Sequence, residues 1–225
     1  MSKVHPRIAV PEGRKTRVLI VDDHPIIREG LSRLINQELD MAVAGSAKDP
    51  ESAREALAEL NPDLLLLDLS LPRTTGFQLI EEIRGKYPDL PILILSMHAD
   101  PYSAERALKA GANGYITKAE APERVLTAIR MTLGKRVYVT EELTSGILTR
   151  LALGEEENPI STLSNRELQV LYQIGEGLAT RRIAGDLGLS VKTVETYRSN
   201  IKRKLELRDS AELVNYAVRF VLSQG

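Results

Sequence analysis

The sequence predicts an α/β doubly wound domain built on a five-stranded parallel sheet, followed by a small all-α domain. Three observations carry that reading. Short apolar runs recur about 20–28 residues apart, each is followed by a stretch with helical apolar spacing, and the alternation stops near residue 135. A strand–helix alternation of this kind makes a parallel sheet covered on both faces.

The elements follow in order. Arg17 to Asp23 is a short β-branched run ending in acids, and Ile26, Ile27, Leu31, Leu34, Ile35 and Leu39 follow at helical spacing. Met41 to Ala44 reads as a weak strand and Pro50 to Leu60 as a helix. Asp63 to Leu69 is a strong strand, Phe77 to Lys86 a helix, Pro91 to Met97 a strand and Ser103 to Ala110 a helix. Gly114 to Lys118 is a short last strand, followed by a helix from Pro122 to Leu133. Residues 136–160 pass through a short helix, Glu141 to Leu151, into Gly-Glu-Glu-Glu-Asn-Pro, a solvated, flexible joint. Residues 1–15, with Pro6, Pro11 and Gly13, lack apolar periodicity and read as a disordered basic extension.

From residue 161 the pattern is helical throughout. Ser164 stands as an N-cap with Glu167 at the capping-box spacing, and Val170, Leu171 and Ile174 continue the stripe. Thr180 is placed to cap a short helix from Arg181 to Leu187, Gly188-Leu189-Ser190 makes a turn, and Ser190 caps a helix from Val191 to about Leu205. Two helices joined by a short glycine-containing turn are a helix-turn-helix. The last helix, Ser210 to Ser223, offers Leu213, Val214, Ala217, Val218 and Val221 for packing.

Composition narrows the function classes. The 225 residues include no Cys and three scattered His (His5, His24, His98), which leaves no disulfide frame and poor material for a zinc site. Apolar runs such as Leu64 to Leu67 fall far short of the ~20 residues of a membrane span, so a cytoplasmic chain with no membrane partner is expected. The net charge of −1 hides a pattern. Residues 1–15 carry four cations and one anion (+3), 16–135 carry 14 against 18 (−4), 136–160 two against five (−3), and 161–225 ten against seven (+3). An acidic body with a basic end suggests two functions, one of them facing an anion such as DNA.

In a doubly wound sheet the site lies at the carboxyl ends of the strands. With strand order 2-1-3-4-5, Asp22 and Asp23, Asp68, Ser96 and Lys118 converge on one crevice. Three carboxylates repel unless a cation sits among them, and an all-oxygen set suits Mg²⁺. Asp68 on the central strand is then a carboxylate nucleophile for a phosphoryl group, with Lys118 and Ser96 neutralising its oxygens. Singly, each residue has a plainer role as helix cap, solvated lysine or loop hydroxyl. The coincidence at every strand end that should reach the crevice outweighs those readings.

Asp22-Asp23, Asp68 in Asp-Leu-Ser-Leu-Pro, Gly76, Ser96 and Tyr115-Ile116-Thr117-Lys118 resemble the receiver domain of two-component response regulators, a flavodoxin-like fold. The resemblance implies that Asp68 is the phosphoacceptor, that Asp22, Asp23, Asp68 and the Ser70 carbonyl hold Mg²⁺, and that Ser96, Tyr115 and Lys118 respond to the phosphoryl group. Leu71 before Pro72 is a mild departure. Ser70 and His98 either tune the lifetime of the aspartyl phosphate or are plain loop residues.

Along the Val191 helix, Val194, Tyr197, Ile201 and Leu205 share one sector, opposite a polar and mostly cationic one. Leu163-Ser164-Asn165-Arg166-Glu167, Ile183-Ala184, Leu189-Ser190 and Thr193-Val194-Glu195-Thr196-Tyr197 with Lys204-Leu205 resemble the LuxR-type helix-turn-helix. Receiver plus this module is the NarL/FixJ arrangement. It implies that Glu195, Thr196 and Ser199 approach bases while Lys192, Thr193, Arg198, Lys202 and Arg203 hold phosphates. Tyr197 stands for a common His and Glu206 for a common Gly, which leaves the end of the recognition helix less defined. The last helix contributes to dimerisation in relatives, although core packing also explains its apolar residues.

The resemblance implies a transcriptional regulator, not an enzyme beyond its own phosphorylation and dephosphorylation. A sensor histidine kinase phosphorylates it, and a homodimer then binds double-stranded DNA at half-sites about one helical turn apart, with RNA polymerase a further candidate partner. Two other classes fit these residues less well. An aspartyl-nucleophile phosphohydrolase wants a second carboxylate where Ser70 stands, and a phosphorylation-independent adaptor would not need the full acid, hydroxyl and lysine set.

Overall fold

The computed structural model describes residues 14–71, 76–97, 99–120, 122–153 and 159–222. The basic extension through residue 13, His98, the acidic run at 154–158 and Ser223 lie outside the described residues. Two compact units divide after Ile147, and each is described by itself.

In the first unit, Thr16–Val21 (β1), Met41–Ala47 (β2), Leu64–Asp68 (β3), Ile92–Ser96 (β4) and Gly114–Thr117 (β5) form one parallel sheet in the order β2-β1-β3-β4-β5. Pro25–Asn36 (α1), Pro50–Leu60 (α2), Gly76–Lys86 (α3), Pro101–Lys109 (α4) and Pro122–Leu133 (α5) are the crossovers. The expected architecture and strand order are both present.

Strand side chains alternate between two cores, as a period of two requires. Leu19, Val21, Leu65, Leu67, Ile92, Ile94 and Tyr115 meet Leu57 of α2, Phe77, Ile80 and Ile83 of α3, and Ala104 and Ala107 of α4. Val18, Ile20, Leu64, Leu66, Leu93, Leu95 and Ile116 meet Ile35 of α1 and Val125, Leu126, Ala128 and Ile129 of α5. Each fully buried aliphatic side chain contributes about 1.5–3 kcal/mol, so this double layer fixes where the strand ends point.

The borders depart from expectation in instructive places. β2 runs on to Ala47, because its register with β1 shifts between Val18 and Leu19 and carries Gly45 and Ser46 into the ladder. A Cβ on Gly45 would stand 2.5 Å from Leu60 Cδ1, the movable end of an α2 side chain, so glycine leaves that side chain its place against the strand. Ile26 and Leu39 are exposed rather than core residues, at 83% and 91%: Ile26 lies in the first turn of α1, and Leu39 lies beyond its end at Asn36. Gly76 begins α3 against the loop after β3, where a Cβ would meet the Leu69 backbone at 2.7 Å.

Beyond α5, Glu141–Leu153 (α6) spans the division between the units. The second unit holds a 3-10 turn at Pro159–Thr162, then Asn165–Gly175 (α7), Thr180–Asp186 (α8), Val191–Lys204 (α9) and Ser210–Leu222 (α10). Ser164 and Glu167 form the expected capping box at α7, and Ser190 caps α9 through Thr193 N at 3.0 Å. Thr180 does not cap α8: Ala179 holds that position without a side-chain bond, and Thr180 is the first helical residue. In α10, Leu213 and Ala217 are buried, but Val214 and Val218 are 40% and 36% exposed rather than packed in the core.

Glu206 explains its own oddity. It takes φ +55° after α9, with Leu207 N donating to Lys202 O at 2.8 Å and Glu206 N to Arg203 O at 3.4 Å. That is a Schellman closure, whose left-handed position favours glycine. Glu206→Gly is therefore expected to stabilise the helical unit by about 1 kcal/mol. Urea denaturation checks this, and an unchanged or lowered midpoint contradicts it.

Candidate functional site

The carboxyl ends of β1, β3, β4 and β5 converge as the strand order demands. Asp22 and Asp68 are fully buried, and the Lys118 side chain, 4% exposed, places its Nζ 2.7 Å from Asp22 Oδ2 and 2.8 Å from Asp68 Oδ2. Asp68 Oδ1 accepts the Ser70 N–H at 2.9 Å, and Asp22 Oδ1 accepts the His24 N–H at 2.8 Å. Ser96 closes β4 nearby, and its carbonyl accepts Lys118 N at 2.7 Å.

The electrostatics are unbalanced. Burial pushes the Asp68 carboxyl above its ordinary range; Lys118 opposes that shift and Asp22 adds to it. Burial also works against the Lys118 ammonium, but Asp68 and Asp22 outweigh it and hold the group above the usual lysine range. Like charges a few ångströms apart repel by about 4 kcal/mol at an effective dielectric near 20, so one ammonium does not settle three clustered carboxylates. Ligand atoms of Asp22, Asp23, His24 and Asp68 lie within 4.8 Å of one another. A cluster of this kind, with three carboxylates in it, is a setting for a hard divalent cation.

His24 joins the cluster without being expected from the sequence motifs. It is the N-cap of α1, makes no side-chain capping bond, and sets Nδ1 2.7 Å from Asp23 Oδ1 and 3.1 Å from Asp22 Oδ1. Its place directly after the acid pair was the available signal. Arg28 adds a bond from Nη1 to the Asp22 carbonyl at 2.7 Å.

Tyr115, on β5 three residues before Lys118, is fully buried. Its hydroxyl is hydrogen-bonded to Ser96 and Ser103, and burial followed by the nearby Asp100 charge pushes its pKa up, so it stays a neutral phenol. Asp100 is itself buried as the α4 N-cap, accepting Tyr102 N at 3.2 Å and Ser103 N at 2.8 Å.

In the second unit α9 shows the two faces expected of it. Val194, Ile201 and Leu205 are buried, Tyr197 is half-buried, and Lys192, Glu195, Thr196, Ser199 and Arg203 are exposed. Thr193, Arg198 and Lys202 are half-buried; Arg198 Nε lies 3.7 Å from Glu195 Oε2. Lys204 is withdrawn from the open face, donating to Glu167 Oε2 at 2.6 Å and to Thr162 O at 3.0 Å. Glu167 thus both caps α7 and anchors the end of α9.

Known proteins carry the same two parts. The response regulator receiver domain family matches residues 18–130, and the family of bacterial regulatory proteins of the luxR family matches residues 161–217. The oxygen regulatory protein NreC of Staphylococcus epidermidis is 36% identical over 211 residues, covering 90% of this chain and 97% of that protein. The chain is a two-component response regulator of the NarL/FixJ type. This regulator is similar to RcsB of Salmonella enterica serovar Typhimurium bound to promoter rprA in the presence of phosphomimetic BeF3−, at 28% identity and TM-score 0.59, covering 91% of this chain and 99% of that one. It is also similar to a LuxR-family response regulator from Aurantimonas sp. SI85-9A1, at 34% identity and TM-score 0.59, over 62% of this chain and 99% of that one. The regulator is therefore a phosphorylation-controlled, DNA-binding transcriptional regulator, whose only chemistry is the gain and loss of its own phosphoryl group. No described helix is long and apolar enough to cross a membrane.

The raised Asp68 pKa makes ionisation of this group a cost to folding. That cost is absent below the ordinary carboxylate range, where both states are protonated, and is full above the raised value. In the absence of divalent cations, Asp68→Asn is expected to be more stable than the parent at pH 7, with the advantage shrinking as pH falls toward about 4. Denaturation midpoints of both proteins across pH check this. A variant less stable than its parent at pH 7 contradicts it.

Proposed function

We propose that Asp68 is the phosphoacceptor, and the observation that carries the reading is the buried Asp22–Lys118–Asp68 cluster at the sheet's carboxyl edge. A sensor histidine kinase is the donor partner, and the protein works in the cytoplasm. The chain divides into a basic extension over 1–15, a receiver over 16–135, a linker over 136–160 and the DNA-binding domain over 161–225.

Asp22, Asp23 and Asp68, with the Ser70 carbonyl, would hold Mg²⁺, which when bound neutralises the oxygens of an incoming phosphoryl group. The fit rests on the clustered acids and on the charge that Lys118 alone leaves unbalanced. A carboxylate oxygen of Asp68 attacks the phosphorus in line. The P–N bond of a phosphohistidine, or the P–O bond of a small acyl phosphate, breaks, and the donor keeps the electron pair. Lys118, already 2.8 Å from Asp68, pairs with the new phosphoryl oxygens. The Ser96 hydroxyl turns toward them and Tyr115 follows, changing the surface that controls pairing of the DNA-binding domains.

On DNA, Lys192, Thr193, Arg198, Lys202 and Arg203 hold phosphates while Glu195, Thr196 and Ser199 reach base edges. The weak positive charge of the C-terminal segment favours a homodimer, and the exposed Val214 and Val218 suit α10 to that pairing. RNA polymerase is a further partner of the DNA-bound form.

Incubation with acetyl phosphate and Mg²⁺ is expected to add one phosphoryl group, seen by intact mass, that Asp68→Ala and chelation both abolish. Retention of the group in Asp68→Ala contradicts the assignment. For DNA, Lys202→Ala or Arg203→Ala should weaken binding to any duplex and lower the salt slope by about 0.9 each. Glu195→Ala and Thr196→Ala should leave that slope in place and change sequence selection by about 1–3 kcal/mol, measured by binding-site selection. An altered salt slope without altered selection in the latter pair would reverse their role.

A further inference from the structure

Packing of the first unit extends past α5. Tyr138 forms a parallel bridge with Gly114 at the edge of β5; its carbonyl accepts the Tyr115 N–H at 2.8 Å, and its N–H donates to Asn113 O at 3.2 Å. Leu143, in the first turn of α6, is 1% exposed and belongs to the same core as Tyr115, Ala104 and Ala107, with Val139 and Ile147 packed around that core. A Cβ on Gly146 would stand 2.6 Å from Pro101 Cγ, so α6 lies against the start of α4 because position 146 has no side chain.

Tyr115 holds the same turn of α4. Its buried hydroxyl is shared between Ser96, at the end of β4, and Ser103, two residues after Pro101. Ser103 is nearly buried and bound through its N–H to the Asp100 cap. One tyrosine therefore touches the phosphorylation edge and α4 through its hydroxyl, and the segment leading into α6 through its backbone.

We propose that Ser103 is a positioning residue that ties Tyr115 to the first turn of α4, and that residues 138–147 are the element through which the receiver reports its state. The proposal rests on the reading of Asp68 as phosphoacceptor and of Ser96 and Tyr115 as its switch. When Ser96 turns to a phosphoryl group, the Tyr115 hydroxyl is left with Ser103. A buried hydroxyl keeps its remaining partner, so the first turn of α4 moves with the ring. The contact at Gly146 leaves no slack, and the start of α6 shifts with Pro101.

The test is hydrogen exchange at amides 143–147 of the full chain, with and without beryllofluoride and Mg²⁺, while fluorine NMR reports beryllofluoride bound at Asp68. The wild type should change its exchange there several-fold on binding. Ser103→Ala should bind beryllofluoride yet lose that change, and Ser103→Thr should restore it. Gly146→Val, which pushes α6 off Pro101, should exchange fast in both states. An unresponsive 143–147 segment in the wild type, a full response in Ser103→Ala, or protection kept in Gly146→Val overturns the proposal. No bound beryllofluoride signal in the wild type overturns the Asp68 reading beneath it, and this comes from a separate spectrum.

Discussion

The ammonium of Lys118, wedged between two buried carboxylates, is the interaction on which the rest of the receiver depends. Asp22 and Asp68 have no exposed surface, and Lys118 reaches both from a third strand end. Removing one partner of a buried ion cluster ordinarily costs several kcal/mol, because the remaining charge is stranded. Here the stranding is partial even in the intact protein. Burial and repulsion from Asp22 keep Asp68 above its ordinary range despite Lys118, so the cluster is receptive to a cation. On the proposed reading, a phosphoryl group on Asp68 carries its negative charge away from the carboxylate, onto oxygens that Lys118 and Ser96 would meet.

The sheet exists to hold that cluster in place. Two cores, one on each face, pin β1, β3, β4 and β5 so that their ends cannot drift apart. The helical unit uses a different anchor for its own functional element. Glu167 caps α7 and at the same time receives Lys204, so the start of one helix sets the end of the recognition helix α9. In both units a lysine paired with a buried carboxylate fixes the geometry, Lys118 with Asp22 and Asp68 in one and Lys204 with Glu167 in the other.

Much of this was legible in the sequence. Apolar runs bounded by acids mark strand ends, so Asp22, Asp68, Ser96 and Lys118 could be placed together before any coordinates, and Ser164 and Ser190 announce helix starts by their chemistry. What was not legible depends on tertiary contact. The extension of β2 through Gly45 goes with the shift of its register against β1 between Val18 and Leu19. Thr180 looks like a cap, but the chain enters α8 one residue earlier through Ala179. Glu206 occupies a left-handed position that only backbone angles reveal, and His24 joins the acid cluster through a turn rather than a spacing rule. The residues after α5 read as a linker because α6 mixes apolar and polar residues around its circumference, with no stripe to announce which turn is docked.

The central claim is that a charge-unbalanced aspartate edge controls a separate DNA-reading helix. The most direct measurement is the affinity of the full chain for a footprinted DNA site, at fixed salt, before and after phosphorylation, beside Asp68→Asn treated in the same way. The account predicts at least a tenfold tightening in the wild type, about 1.4 kcal/mol, and none in the variant. Equal affinity of the two wild-type forms, or equal tightening in the variant, would contradict it.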